Sequence, residues 1–129
     1  MKIEHIAFNV ADPDTLREWL VENLGMRVLR KLDNEFHTCF LSDSAGTTAL
    51  ELYNNPSAPI PDYASMNPLV LHIAFCVDDV TAVRQRLLDA GAAPEGDVVS
   101  TPDGDELAMV REPGGIALQL MKRAKPMVP

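Results

Sequence analysis

Four polar side chains occupy matching places in two similar stretches of this chain. His5 and His72 each open an apolar segment, and Glu51 and Gln119 each lie inside a later apolar segment. Imidazole nitrogens together with carboxylate or amide oxygens are suitable ligands for divalent ions such as Zn²⁺, Ni²⁺, Co²⁺, Mn²⁺ or Fe²⁺. An ion held by protein on one side and open on the other can bind a chelating substrate as a Lewis acid. These residue types therefore predict one divalent metal ion bound by the four side chains.

The four candidate ligands belong to a sequence repeat. Residues 5–12 read His-Ile-Ala-Phe-Asn-Val-Ala-Asp, and residues 72–79 read His-Ile-Ala-Phe-Cys-Val-Asp-Asp, identical at six of the eight positions. Residues 49–52, Ala-Leu-Glu-Leu, return as residues 117–120, Ala-Leu-Gln-Leu, at almost the same offset. Two separated matches at one offset indicate two copies of a single structural unit.

Each copy predicts the order strand, helix, strand, strand, strand. An aspartate begins each helix as its N-cap and a glycine ends it. The predicted strands cover residues 3–10, 26–32, 36–42, 47–53, 69–77, 97–100, 107–111 and 116–121, with the proline and glycine of segment 94–96 expected to interrupt the sixth. We expect an α+β fold in one structural domain. Its parts are βαβββ modules at 1–54 and 69–122, a proline-rich linker at 55–68 and a tail at 123–129.

Alternation along the strands predicts which side chains share a face. In the first strand Ile6, Phe8 and Val10 should cover the helix, and His5 should point the other way beside the small Ala7. The same alternation places the other three candidate ligands opposite the helices, each two residues from an alanine. We therefore expect a curved mixed sheet with helices on its convex face and a pocket on the other. The pocket wall would include Tyr53, Cys76 and Met121.

Structural explanations compete with the metal site. A single histidine in a strand usually makes a structural hydrogen bond, but a buried carboxylate is costly without a cation or another partner. His37 has no counterpart in the second copy, and we expect it at the surface or at the pocket rim. Cys39 and Cys76 lack metal-binding spacing and are expected to be free, buried thiols. Arg17 and Arg111 are expected to be solvated surface charges.

Composition restricts the class of function. The chain has 129 residues with 47% hydrophobic and 23% charged residues, which is typical of a soluble globular protein. A net charge of −8 argues against nucleic-acid binding, because no basic surface is available to neutralise phosphates. No apolar run approaches the roughly 18 residues of a membrane span, and the first residues do not form a signal sequence. We expect a cytoplasmic protein.

The duplicated module resembles the vicinal oxygen chelate superfamily, also called the glyoxalase/bleomycin resistance/dioxygenase superfamily. The resemblance extends from residue 1 to about residue 121. It is carried by His-Ile-Ala-Phe-x-Val at the start of both modules and by the Glu-Pro-Gly-Gly turn at 112–115. It implies metal ligands on the first and fourth strands of each module, which correspond here to His5, Glu51, His72 and Gln119.

The pattern is most similar to bacterial glyoxalase I. The resemblance implies isomerisation of the hemithioacetal of methylglyoxal and glutathione to a thioester, with the metal holding two substrate oxygens and a ligand carboxylate moving a proton. This chain departs from the pattern at Gln119, where glyoxalase I and most catalytic members have glutamate. An amide oxygen can bind a metal but does not accept a proton at neutral pH. Glu51 is therefore expected to be both ligand and catalytic base.

Two other functions stay open. An extradiol-type dioxygenase would hold Fe²⁺ with His5, His72 and Glu51. A protein resembling bleomycin-resistance proteins would bind a small molecule without catalysis and without metal. The resemblance also implies a homodimer, in which one site can be built within one chain or across two.

Overall fold

The computed structural model describes residues 1–128, and Pro129, the last residue of the predicted tail, lies outside them. The chain divides into two compact units, Met1–Pro61 and Asp62–Pro129. The first unit contains β1 (His5–Asn9), α1 (Pro13–Leu24), β2 (Arg27–Lys31), β3 (Cys39–Ser42) and β4 (Ala49–Tyr53). The second contains a short 3₁₀ helix (Tyr63–Ser65), β5 (Ile73–Cys76), α2 (Val80–Asp89), β6 (Ala93–Ser100), β7 (Glu106–Arg111) and β8 (Ala117–Lys122). The prediction of two tandem βαβββ modules is confirmed.

The first unit is a four-stranded mixed sheet in the order β1-β4-β3-β2. β1 pairs with β4 in parallel, whereas β3 pairs antiparallel with both of its neighbours. Helix α1 begins where predicted, because an Asp12 carboxylate oxygen accepts a hydrogen bond from the Thr15 N–H at 3.0 Å. It ends at Gly25, whose φ of 66° is a conformation that glycine adopts without strain.

The core of the first unit corrects one detail of the predicted first strand. Phe8 and Val10 are buried as expected, but Ile6 is 48% exposed. The reason is topological: β1 is an edge strand, and α1 packs against β3 and β4. The main contacts of α1 thus lie away from the amino-terminal end of β1, where Ile6 is exposed.

The second unit repeats the topology with the order β5-β8-β7-β6. β5 and β8 are parallel, and the other pairs are antiparallel. Helix α2 places Val80 and Leu87 in the core at 0% exposure. No helix among residues 1–128 is long and apolar enough to cross a bilayer.

Strand β6 is longer than predicted and contains Pro94 and Gly96. The strand lies at the edge of the sheet, where a proline need not donate to a neighbour. Its pairing with β7 shifts between Glu95 and Val99, and Gly96 has a φ of 70°. Pro94 therefore keeps its place in the ladder opposite Val110, and only Gly96 lies in the irregular part, a β-bulge within the strand.

The sequence predicted a linker without regular structure at 55–68, but this segment contains the 3₁₀ helix. Arg111 fixes the end of the segment to the second unit. The guanidinium donates to the carbonyl oxygens of Tyr63, Met66 and Gly115, and pairs with Glu95 at 2.7 Å. Its side chain is 12% exposed, so the expectation of a solvated charge is wrong.

Arg17 is also buried rather than solvated. It pairs with Asp14 and Glu18 on its own helix. The helix thus supplies the carboxylates that make burial of the guanidinium tolerable.

Candidate metal centre

In the first unit the parallel pairing of β1 and β4 brings two of the predicted ligands together. His5 is the first residue of β1, and Glu51 lies in the middle of β4, opposite Ala7. His5 and Ala7 alternate onto one face, so Glu51 shares that face with the imidazole. His5 Nε2 lies 3.3 Å from Glu51 Oε2.

The environment of Glu51 favours a cation. Its side chain is 17% exposed, and among residues 1–128 its only ion-pair partner is His5. A partly shielded carboxylate without a lysine or arginine partner is free to take a cation as a further partner. A divalent ion beside His5 and Glu51 would be such a partner.

Two residues that the sequence analysis did not single out orient His5. Glu4 contacts Nδ1 of the imidazole through its carboxylate. Phe40 meets the ring edge-on, with ring centroids 5.9 Å apart and an interplanar angle of 85°. The Glu4 hydrogen bond raises the pKa of His5 above its ordinary value of 6.5, and the charge of Glu51 adds to the effect while desolvation opposes it. Phe40 pairs with Glu51 across β3 and β4, so sheet register could have identified it.

In the second unit the two predicted ligands are placed differently. Gln119 lies in β8 opposite Ala74 and is half-buried. His72 is one residue before β5, although the sequence predicted a strand from residue 69. The strand starts later because a turn occupies residues 67–70, closed by the Val70 N–H donating to the Asn67 carbonyl oxygen at 2.9 Å.

The start of β5 also fixes the orientation of His72. Its Nδ1 lies 2.7 Å from the Pro68 carbonyl oxygen, which can only accept a hydrogen bond. Nδ1 therefore carries a hydrogen, so in the neutral form of the ring the lone pair is on Nε2. This is the form in which a histidine binds a metal through Nε2.

Each unit thus supplies one imidazole and one oxygen side chain. Over residues 1–128, no group of three or more His, Cys, Asp or Glu side chains is arranged to hold a metal ion. The four-ligand site predicted from the sequence stays a prediction.

The residues expected in the pocket wall follow the same registers. Tyr53 pairs with Asn9 in the first unit, and Cys76 pairs with Met121 in the second. Met121 is buried, but Cys76 is exposed, so the expectation of two buried thiols holds for Cys39 alone. Cys76 lies on the edge strand β5, where no further strand covers it.

His37 lies away from β1 and β4, on the loop that precedes β3. Its Nδ1 is 2.6 Å from Asp14 Oδ2, and the ring is exposed. It lines a cavity of about 490 Å³ at the start of α1 together with Asp12, Phe36 and Asn54. Its position fits the surface or rim location expected for it.

The fold defines a small protein made of two tandem βαβββ units, each with a histidine at or just before the first strand and an oxygen-bearing side chain on the fourth. A family model matches residues 2–120 of the chain. The chain belongs to the Glyoxalase/Bleomycin resistance protein/Dioxygenase superfamily.

Several solved structures share the fold. A glyoxalase family protein from Enterococcus faecalis is 25% identical, with a TM-score of 0.71 over 94% of this chain and 97% of that one. A glyoxalase I variant from Zea mays is 25% identical, with a TM-score of 0.75 over 96% of this chain and 46% of that one. TnmS3, an antibiotic binding protein from Streptomyces sp. CB03234, is 21% identical, with a TM-score of 0.71 over 96% and 97%. No curated protein matches the sequence.

Proposed function

We propose that this protein is a metal-dependent lyase or isomerase acting on a small substrate with two adjacent oxygen atoms. The best-supported reaction is of the glyoxalase I type, isomerisation of a hemithioacetal to a thioester. The observation that carries the proposal is the His5–Glu51 pair, with 3.3 Å between Nε2 and Oε2 on one sheet face. Similarity to glyoxalase I from Zea mays supports the same reaction class.

The donor atoms of the proposed ligands are chemically suited to a divalent ion. His5, Glu51, His72 and Gln119 would hold it through two imidazole nitrogens, a carboxylate and an amide oxygen, a donor set suited to Zn²⁺, Ni²⁺, Co²⁺, Mn²⁺ or Fe²⁺. When bound, such an ion supplies Lewis acidity to two substrate oxygens.

Proton transfer then depends on Glu51. It is the carboxylate of the four, since Gln119 stands at the equivalent position of the second unit. An amide does not accept a proton at neutral pH, so the second unit provides no base. Glu51 would accept the proton from one substrate carbon and return it to the adjacent carbon.

Elemental analysis of the purified protein tests the metal. We expect about one divalent ion per chain after loading with Zn²⁺, Ni²⁺ or Co²⁺, and strong loss of the ion in Glu51→Gln. Glu106→Gln is the matched control, because Glu106 is also a half-buried strand glutamate and has no part in the site. A wild-type protein that retains no ion contradicts the proposal. Metal retention without turnover of the methylglyoxal–glutathione hemithioacetal would refute the reaction alone.

A second candidate function is non-catalytic binding of a small molecule. Gln119 in place of a base favours it, as does the lack, among the described residues, of a cluster of three metal-binding side chains. The antibiotic binding protein TnmS3 shows that this fold serves such a role elsewhere. Calorimetry of candidate ligands with and without a chelator distinguishes the two functions, because a non-catalytic binder of this kind is indifferent to metal removal.

We also propose that the protein forms a homodimer. Both sheets have two edge strands, and Ile6 on β1 is 48% exposed. Pairing with a second copy would cover such edges. Sedimentation equilibrium is expected to give twice the chain mass of 14.1 kDa, and a monomer at all concentrations contradicts the assignment.

A further inference from the structure

We infer that Glu4 is a positioning residue for the metal site. Its carboxylate holds His5 with the hydrogen on Nδ1, so that Nε2 is the ligand atom. This inference rests on the proposed metal site, but its structural basis lies within the first unit.

The contact itself is specific in its atoms. The Glu4 carboxylate contacts Nδ1 of His5, while Nε2 of the same ring is directed at Glu51. An ionised carboxylate only accepts hydrogen bonds, so Nδ1 must be the donor. The remaining nitrogen, Nε2, then faces the carboxylate that would share the metal.

The backbone of Glu4 is fixed at the point from which its side chain extends. The Ala49 N–H donates to the Glu4 carbonyl oxygen at 2.9 Å, which continues the ladder between β1 and β4 by one residue. The edge-on contact of Phe40 restricts the ring from another side. Glu4 therefore acts on a ring whose position is already limited, and it selects the tautomer and rotation.

His72 shows the same arrangement by a different means. Its Nδ1 bonds the Pro68 carbonyl oxygen at 2.7 Å, again leaving Nε2 as the free atom. Both histidines thus use Nδ1 for an oxygen acceptor of the protein. Acceptors of this kind orient metal-binding histidines and raise their basicity, and their loss typically reduces metal affinity about 10–100-fold.

If Glu4 had a purely structural role, its loss would lower the stability of the fold. The Glu4 side chain is 73% exposed and that of His5 is 42% exposed. An ion pair so open to solvent adds little to folding stability. Loss of Glu4 should therefore leave the thermal unfolding midpoint unchanged while it alters the imidazole and the metal affinity.

The experiment uses the full chain with three variants, Glu4→Ala, Glu4→Gln and Glu35→Ala. Glu35 is exposed, so Glu35→Ala changes the net charge equally without touching His5. Glu4→Gln keeps an oxygen acceptor and should behave between wild type and Glu4→Ala.

Two measurements are made. In metal-free protein, at an alkaline pH chosen so that the ¹⁵N shifts show a neutral His5 ring, long-range ¹⁵N–¹H spectra report the His5 tautomer. We expect Nδ1–H in wild type and Glu35→Ala, and a tautomer mixture in Glu4→Ala. In separate titrations with Co²⁺, Zn²⁺ and Ni²⁺, we expect about 10–100-fold weaker binding for Glu4→Ala and less than about 2-fold change for Glu35→Ala.

The outcomes separate this inference from the proposed function. If wild type binds none of Co²⁺, Zn²⁺ and Ni²⁺, the metal proposal fails, and the spectra still decide whether Glu4 sets the tautomer. If wild type binds one of these ions but Glu4→Ala matches it in tautomer or in affinity, the role of Glu4 is overturned and the metal site stands.

Discussion

Replacement of Glu112 by glutamine should destabilise the protein even though it removes a buried charge. Glu112 is 3% exposed at the turn between β7 and β8. One carboxylate oxygen accepts from the Gly114 N–H at 2.6 Å and the other from the Ile116 N–H at 2.8 Å. Glutamine offers one oxygen and one NH₂ group, so one backbone N–H would face another donor.

The size of the effect follows from these two bonds. A hydrogen bond to a charged group contributes roughly 1.5–3 kcal/mol, and a buried donor without an acceptor costs about 1–3 kcal/mol. Relief from burying the charge offsets part of that loss. We expect the free energy of unfolding to fall by about 1–2 kcal/mol, measured by urea unfolding followed by far-ultraviolet circular dichroism. Glu22→Gln on the exposed face of α1 should change it by less than about 0.5 kcal/mol.

The pH dependence gives a second check. Burial raises the pKa of Glu112 above its ordinary value of 4.5, although the two backbone donors act to lower it. The folded state therefore holds this proton more tightly, and wild type loses stability as pH rises from about 4.5 through the folded pKa. The glutamine variant lacks that titration. The difference in free energy of unfolding between wild type and Glu112→Gln should therefore be larger at about pH 4.5 than at about pH 7.5. A variant as stable as wild type, or more stable, refutes the reasoning, because desolvation would then outweigh the second hydrogen bond.

Two further predictions concern backbone conformation. Gly115→Ala should destabilise by at least about 2 kcal/mol, because φ is 99° and an added Cβ would lie 2.6 Å from the Ala64 nitrogen. Gly104→Ala is the control for backbone strain alone, because its φ is 88° but an added Cβ would meet no atom closer than 3.5 Å. If urea unfolding shows the same loss of stability in both variants, the clash with Ala64 is not the cause. Asp12→Ala should cost about 1 kcal/mol by removing the cap on the Thr15 N–H, with Asp12→Asn close to wild type in the same denaturation assay. Equal loss in both Asp12 variants would show that capping is not the cause.

The repeat and the turn residues made most of the fold predictable. Asp12 and Gly25 bound α1, and the period-two pattern located most of the strands. The incorrect predictions concern the edge strands β1 and β6, because the hydrophobic pattern does not show where a strand lies in its sheet. Pro94 and Gly96 would end an interior strand, but the edge strand keeps Pro94 in register and accommodates Gly96 in a bulge. Ile6 is apolar in the pattern yet exposed, because the main contacts of the helix lie away from that end of β1.

The His5–Glu51 half of the candidate site could be predicted from the alternation of side chains along the strands. Parity placed His5 and Glu51 on one face, and parallel pairing then set them opposite one another. Glu4 could not be found this way, since it precedes the strand and by alternation belongs to the other face. Its contact depends on a side-chain rotamer that no spacing encodes. His72 was displaced from its strand by a turn whose hydrogen bond depends on the local conformation at Asn67.

The position of β8 has a consequence for shortened forms of the chain. Although it is the last strand in sequence, it lies between β5 and β7, and β5 has no other neighbour in its sheet. A truncation before residue 117 would therefore remove a central strand and leave β5 without any pairing partner in its sheet. In most proteins, by contrast, removal of the last residues affects only the periphery of the fold. During synthesis the second unit cannot close until its final strand has left the ribosome, so premature stops near the carboxyl end should yield material prone to degradation.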